Sequence, residues 1–392
     1  MKITKIETIN CDAGWRVWTF VKVSTDKGIT GWSECTDAFG STLGVRAVIY
    51  DLSSFLIGKD PRLVEKLYWD IYRMTRQSPG GIVSKAIAGI ENALLDIKAK
   101  ELGISVCELF GGPVRDRIDL YWSHCGTTRA RAADKANVRA VKNLADIAAL
   151  AREVKDRGYR AIKTNIILFN DEIPEVYMPG FNRSKGGPEL NVDERILYGA
   201  REYISVWRSA LGADCGIILD ANFNFKTEGY CRLARSLEEF GLMWLEVDSY
   251  DPAALRDIRM SAHLPICTGE TLYSTRDFRP YFEMHAMDVA TVDVAWNGFL
   301  QSRKIADMAE LYEMNIAPHN HHSHLSTMMA AQFAALIPNV RILEIDVDDV
   351  PWKDEIVTNV PRIENGSLII PQGPGWGTEI NEEAVRAHAV RR

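Results

Sequence analysis

From Asp220 to Glu344 the chain ends short apolar runs on polar residues at a nearly constant interval. Asp220, Glu246, Glu270, Asp293, His319 and Glu344 are separated by 26, 24, 23, 26 and 25 residues. The runs GIILD, MWLE, PICTGE, VATVD, NIAPH and RILE have strand length and composition. Each interval leaves room for one helix and a return loop, and segments such as FLQSRKIADMAELYEM carry helical spacing. Two earlier runs, DLYWSHC near His124 and YRAIKTN near Lys163, bring the strands to eight. Eight β/α units can close into a barrel, whose chemistry sits at the C-terminal ends of its strands. Every polar residue named here falls at such an end.

The flanking segments read differently. Residues 1–35 suggest antiparallel strands, ITKIETIN, WRVWTFVKVST and ITGWSE, with a DKG turn at Asp26–Gly28. From Val45 to Leu102 the pattern turns helical; Ile82, Ile90 and Ile97 share an apolar face, and Gly103 stands where a C-cap would. After Gly111–Gly112–Pro113 the β/α register begins. The expected units are therefore an α+β module over 1–115, a barrel over 116–345 and a returning segment over 346–392 that packs on the first module. The Pro- and Gly-rich stretch FNDEIPEVYMPGFNRSKGGPEL reads as a loop inserted over the mouth.

Net charge −7 and the lack of a basic block argue against nucleic-acid and anionic-membrane partners, so a small ligand is expected. Seven scattered cysteines without CxxC pairs predict reduced thiols and a cytoplasmic protein. MKITKIETIN alternates like a strand and shows no signal-type apolar region.

Asp220, Glu246 and Glu270 on consecutive strand ends would repel one another unless a hard divalent cation lay between them. A single such acid would be read as a helix cap. Asn222, two residues on, is expected on the same strand face, as a neutral ligand. His319 closes the strand NIAP, and Asp293 on the preceding strand end is placed to orient it as a general base. His321, His322 and His324 also admit a transition-metal site, but the oxygen-rich triad favours a hard cation and leaves these three as a polar rim. Lys163 and Asn165 share one face of the second strand, across the barrel from His319.

This ordered set, with ELFGG, the DAN, LEVD and TGE motifs, VDVAWNG, APH and PGWGTEIN, resembles the enolase superfamily, and within it the acid-sugar dehydratases of the mandelate racemase subgroup. The resemblance covers nearly the whole chain. It implies an α/β fold, a modified (β/α)₇β TIM-type barrel with an N-terminal α+β capping domain completed by the C-terminal tail. It further implies Mg²⁺ on Asp220, Glu246 and Glu270, an Asp293–His319 dyad, Glu344 stabilising the intermediate, and a homo-oligomer. Substrate specificity would come from the loops around Gly14–Arg16 and Asp37–Ser41, with Trp15 and Arg16 as contacts.

The chain departs from the family at Lys163–Thr164–Asn165. The subgroup's racemases carry Lys-x-Lys there, whereas Asn165 has no base function. Elimination needs only one proton abstracted and one hydroxyl protonated. The resemblance therefore implies Mg²⁺-dependent dehydration of a sugar acid, of aldonate or uronate type, to a 2-keto-3-deoxy acid. Galactonate-type dehydratases carry a histidine where Asn222 stands, so the general acid stays open among His319, His124 and Lys163. The alternatives are a racemase or epimerase using Lys163 as second base, and a catalytically silent carboxylate-binding homologue.

Overall fold

The computed structural model describes residues 1–37, 40–169 and 173–390. Positions 38 and 39 of the expected specificity loop and 170–172 of the expected mouth insertion lie outside the described residues.

Three antiparallel strands open the chain: β1 (Ile3–Asp12), β2 (Val17–Thr25) and β3 (Thr30–Glu34). Helices α1 (Thr42–Ser53), α2 (Val64–Met74) and α3 (Gly81–Leu102) follow. Gly103 ends α3 at φ 70°, a left-handed conformation glycine adopts without steric cost. β3 approaches α3 so closely that a Cβ on Gly31 would meet the Ala93 carbonyl oxygen at 2.1 Å.

The barrel begins with β4 (Arg117–Ser123), α4 (Thr127–Arg131), α5 (Leu144–Asp156) and β5 (Ala161–Asn165). A short hairpin, β6 (Ile167–Leu168) and β7 (Glu175–Val176), opens the insertion before α6 (Glu194–Leu211). Asp193 caps α6 by accepting from the Ile196 amide, a contact worth about 1 kcal/mol. Alternation then continues through β8 (Gly216–Asp220), α7 (Thr227–Leu237), β9 (Trp244–Glu246), α8 (Pro252–Met260), β10 (Ile266–Thr268) and α9 (Ser274–Glu283). It closes with β11 (Val289–Val292), α10 (Val294–Asn297), α11 (Phe299–Leu311), β12 (Asn315–Pro318), α12 (His324–Leu336) and β13 (Leu343–Asp346).

Parallel pairing runs in the order β12-β11-β10-β9-β8-β5-β4, and β13 pairs with β4. Ile316 and the chain entering β13 exchange two backbone hydrogen bonds of 2.7 Å, which closes the ring. No helix follows β13 before the tail, so the barrel is (β/α)₇β. The tail divides: β14 (Ile363–Glu364) and β15 (Ser367–Ile369) form a hairpin whose second strand pairs with β4. Beyond it Trp376 donates to the Trp32 carbonyl at 2.9 Å, and α13 (Glu382–Ala387) lies against β1.

The barrel floor is an apolar layer with one residue from or beside each strand, among them Tyr121, Ile218, Trp244 and Ile342. Side chains two residues further along a strand share its face. That step leads from Tyr121, Ala161, Ile218, Trp244, Ala317 and Ile342 to Ser123, Lys163, Asp220, Glu246, His319 and Glu344. The polar layer is thus the next storey of the packed interior. All seven cysteines are free and all but Cys231 are buried. Among the described residues no helix is long and apolar enough to cross a membrane.

Candidate active site

The N-terminal module is fastened over the barrel mouth by buried polar contacts. Trp296 Nε1 donates to the Thr36 carbonyl at 2.7 Å, and Asn92 both donates to the Val294 carbonyl and accepts from the Phe299 amide, each at 2.9 Å. Ser323 Oγ donates to Glu34 Oε2 at 2.5 Å. Between the two parts lies a cavity of about 700 Å³, within the range of small-molecule sites. Trp15, Arg16, His124, Lys163, Asn165, Asp220, Asn222, Glu270 and His319 all line it. Glu246, Asp293 and Glu344 lie beneath this lining, each at most 1% exposed.

His319 follows β12 directly, and its Nδ1 lies 2.7 Å from Asp293 Oδ2. Asp293 also caps α10 through Oδ1 and the Trp296 amide at 3.0 Å. His322 approaches the same Asp293 Oδ2 through Nε2 at 2.8 Å. The two imidazoles outweigh burial and hold the Asp293 carboxyl well below the usual range. With Nδ1 committed to Asp293, His319 presents Nε2 to the cavity, 3.2 Å from Glu270 Oε2.

The expectation that His321, His322 and His324 form a polar rim is wrong, since they are 9%, 0% and 7% exposed. Glu34 from β3, the Ser323 cap of α12 and the Trp296 ring close over this loop, which periodicity alone does not reveal. His319, His321 and His322 bring ligand-type atoms within 4.8 Å of one another. Four of their six nitrogens serve one another and Asp293, with His321 Nδ1 3.1 Å from His319 Nε2, whereas His321 Nε2 and His322 Nδ1 are buried without a partner. Burial and the neighbouring histidine charges keep His321 neutral.

Opposite charge is concentrated at Lys163. Its Nζ lies 3.2 Å from Glu246 Oε1 and 2.7 Å from Glu344 Oε1. Burial alone would lower its pKa, but Glu246 and Glu344 raise it well above the ordinary lysine value. Glu344 also accepts from Ser123 Oγ at 2.5 Å and from the Asn320 amide at 2.8 Å. Despite burial, Lys163 and His319 hold Glu344 below the carboxylate range. An ionised Glu344 accepts and cannot donate, so its part is to hold Lys163 in place.

Asn165 Nδ2 donates to the Asp220 carbonyl at 3.3 Å and to Asn222 Oδ1 at 3.0 Å. Asn222 is not on a strand as expected. It lies beyond β8 at φ 46°, donating from Nδ2 to Asp220 Oδ1 at 2.8 Å. His124, just past β4, is likewise left-handed at φ 48°, and its Nδ1 lies 2.8 Å from Asp346 Oδ1. Positive φ at a residue with a Cβ costs about 1 kcal/mol or more. Here both cases place polar side chains in the cavity wall. Arg16 is engaged by Asp349, at 3.3 and 2.7 Å to its two oxygens, with Trp15 alongside.

The acids form a region short of positive charge. Asp248, two residues past Glu246, is buried with Oδ1 unpartnered. Burial followed by Asp220 and Glu246 raises its pKa, and burial followed by Asp248 and Asp220 raises that of Glu270 well above the usual value. Glu246 is raised as well, by burial and then by Asp220 and Glu344, with Lys163 opposing. An oxygen-only donor set with mutual repulsion and an orphaned carboxylate oxygen fits a hard divalent cation.

A capped parallel barrel with acids, a lysine and an Asp–His pair at the C-terminal strand ends defines a barrel enzyme. Residues 146–384 match the enolase C-terminal domain-like family, and residues 13–111 match the mandelate racemase / muconate lactonizing enzyme N-terminal domain. The chain belongs to this family and is an enzyme of the enolase superfamily. It is 31% identical to D-xylonate dehydratase of Haloferax volcanii, covering 99% of this chain and 89% of that one. It is 29% identical to D-galactonate dehydratase of Ralstonia pickettii, covering 98% and 94%. A solved structure from Burkholderia xenovorans strain LB400, provisionally named L-alanine-DL-glutamate epimerase and bound to magnesium and fumarate, is 45% identical. It superposes with a TM-score of 0.97 over 100% of this chain and 96% of that one.

Proposed function

We propose that this chain dehydrates a sugar acid of aldonate or uronate type, removing the proton α to the carboxylate and eliminating the β-hydroxyl to give a 2-keto-3-deoxy acid. The observation that carries this reading is the inequality of the two flanks. His319, oriented by Asp293, is a competent base, whereas Asn165 is an amide tied to Asn222 and the Asp220 carbonyl. Residues 1–115 act as the cap, 116–345 as the catalytic barrel and 346–392 as the returning segment.

Asp220, Glu246 and Glu270 would hold Mg²⁺, with Asp248 beside them. When bound, the ion supplies positive charge to the substrate carboxylate as carbanion character develops at the α-carbon. His319 Nε2 takes the α-proton while Nδ1–H donates to Asp293. The Lys163 ammonium, fixed by Glu344, faces the charge that grows on the carboxylate. As an imidazolium with Nδ1–H donating to Asp346, His124 would give its Nε2 proton to the departing hydroxyl, which leaves as water. Lys163 is the poorer donor, since two carboxylates bind its proton tightly. Dehydratase relatives and the magnesium and fumarate of the Burkholderia structure support the reading.

An epimerase reading is favoured by that structure's provisional name. It needs Lys163 as the second base, and the Glu246 and Glu344 contacts work against a neutral amine there. A panel of sugar acids assayed for 2-keto acid formation tests the proposal, and α-proton exchange without dehydration would replace it with the epimerase reading.

A further inference from the structure

Arg131 ends α4, immediately after β4, and lines the cavity together with Trp15, Arg16, His124 and Met178. Arg129, two residues earlier, forks onto both Asp348 and Glu153, and Arg16 forks onto Asp349. Among the described residues Arg131 has no carboxylate partner; its Nη1 reaches only Met178 Sδ, at 3.7 Å. Desolvation and then the like charges of Arg183 and Arg16, partly offset by Asp346, pull its pKa down to about 10. Arg131 is half-buried; a guanidinium drawn partly out of water without an anion is disfavoured, and it is shaped to grip a carboxylate with two parallel N–H groups.

Its place in the ring matters as much as its lack of a partner. In the order β4, β5, β8, β9, β10, β11, β12, β13, strand β4 stands four places from β10, directly across the mouth from the strand that leads to Glu270. A sugar acid whose reacting carboxylate lies on the acidic side therefore points its other end toward Arg131.

We infer that the Arg131 side of the cavity binds a second carboxylate at the far end of the substrate, so that the preferred substrate is a sugar diacid rather than a monoacid. This rests on the dehydratase reading and moves its substrate from the aldonate or uronate type to the aldarate type. The bidentate contact forms when the diacid enters, and the matched monoacid, ending in a hydroxymethyl group, leaves Arg131 without an anion.

The test is calorimetric titration of the Mg²⁺-loaded His319→Asn variant, which holds ligand without turnover, with aldarate and aldonate pairs of the gluco, galacto and manno series. The inference expects at least one aldarate to bind about tenfold or more tightly than its aldonate. Arg131→Gln in the same background should shrink that preference to under about threefold, and Arg131→Lys should retain part of it. Equal binding within every pair, or an undiminished preference after Arg131→Gln, overturns the second-carboxylate site alone. If Arg131→Gln does not fold, the preference measured with Arg131 present decides. Absence of binding by any of these acids overturns the sugar-acid reading itself.

Discussion

Asp293 Oδ2 lies 2.7 Å from His319 Nδ1, and that contact sets which nitrogen of His319 meets the substrate. Asp293→Asn keeps a helix cap for α10 but replaces the anion that selects the tautomer. The expected loss in kcat is about 10²- to 10⁴-fold with folding retained. Steady-state kinetics and circular dichroism check it; a loss under threefold would show that the dyad does not orient the base.

The crowded acids predict a metal response that depends on pH. Glu246, Asp248 and Glu270 have folded pKa values raised above their unfolded values near 4. Their favourable contribution is full below pH about 4 and is lost as pH rises through the folded values. The metal-free protein should therefore weaken with rising pH, and Mg²⁺ should raise the Tm more at pH 8 than at pH 5. Thermal unfolding with Mg²⁺ or chelator measures this, and an equal Tm gain at both pH values would refute it.

Removing the orphaned acid should separate stability from metal binding. Asp248→Asn is expected to stabilise the chelator-treated protein by about 1 kcal/mol and to weaken Mg²⁺ binding. Urea unfolding and Mg²⁺ titration read the two effects. Destabilisation with unchanged Mg²⁺ affinity would remove Asp248 from the metal region.

If His124 protonates the leaving hydroxyl, His124→Gln should slow elimination about 10²-fold while α-proton exchange with solvent continues. Proton NMR in deuterium oxide follows exchange and product together. Elimination at the wild-type rate would assign the proton to another group.

The one-sided base predicts exchange from one face. Of two sugar acids epimeric at C2, one should exchange its α-proton and the other should be inert on the same timescale. Comparable exchange from both would require a base on the Asn165 side, which Lys163 alone could supply.

Much of the fold was legible because the barrel repeats: strand ends recur at near-constant spacing, and strands as short as Trp244–Glu246 still end on their polar residue. The β-strand period of two carries further than the strand ends alone. It leads from Glu344 to Asp346, which stands in no motif, and from Glu246 to Asp248, the last residue of LEVD. Where the chain leaves strand geometry, sequence pattern loses direction. Asn222 turns left-handed, and His322 reaches Asp293 from a loop whose path is set by Glu34 and Trp296. Arg131 is not legible in the sequence, because a guanidinium without a carboxylate partner is a property of its neighbours and leaves no mark in local spacing.

The account turns on whether this chain makes a keto acid by His319-dependent, divalent-metal-dependent elimination. A panel of sugar acids with wild-type protein should yield a 2-keto-3-deoxy acid from at least one member. Chelator should abolish formation and Mg²⁺ restore it, and His319→Asn should lower the rate by about 10³-fold or more. No keto acid from any sugar acid, accompanied by α-proton exchange on another carboxylate, would contradict the account.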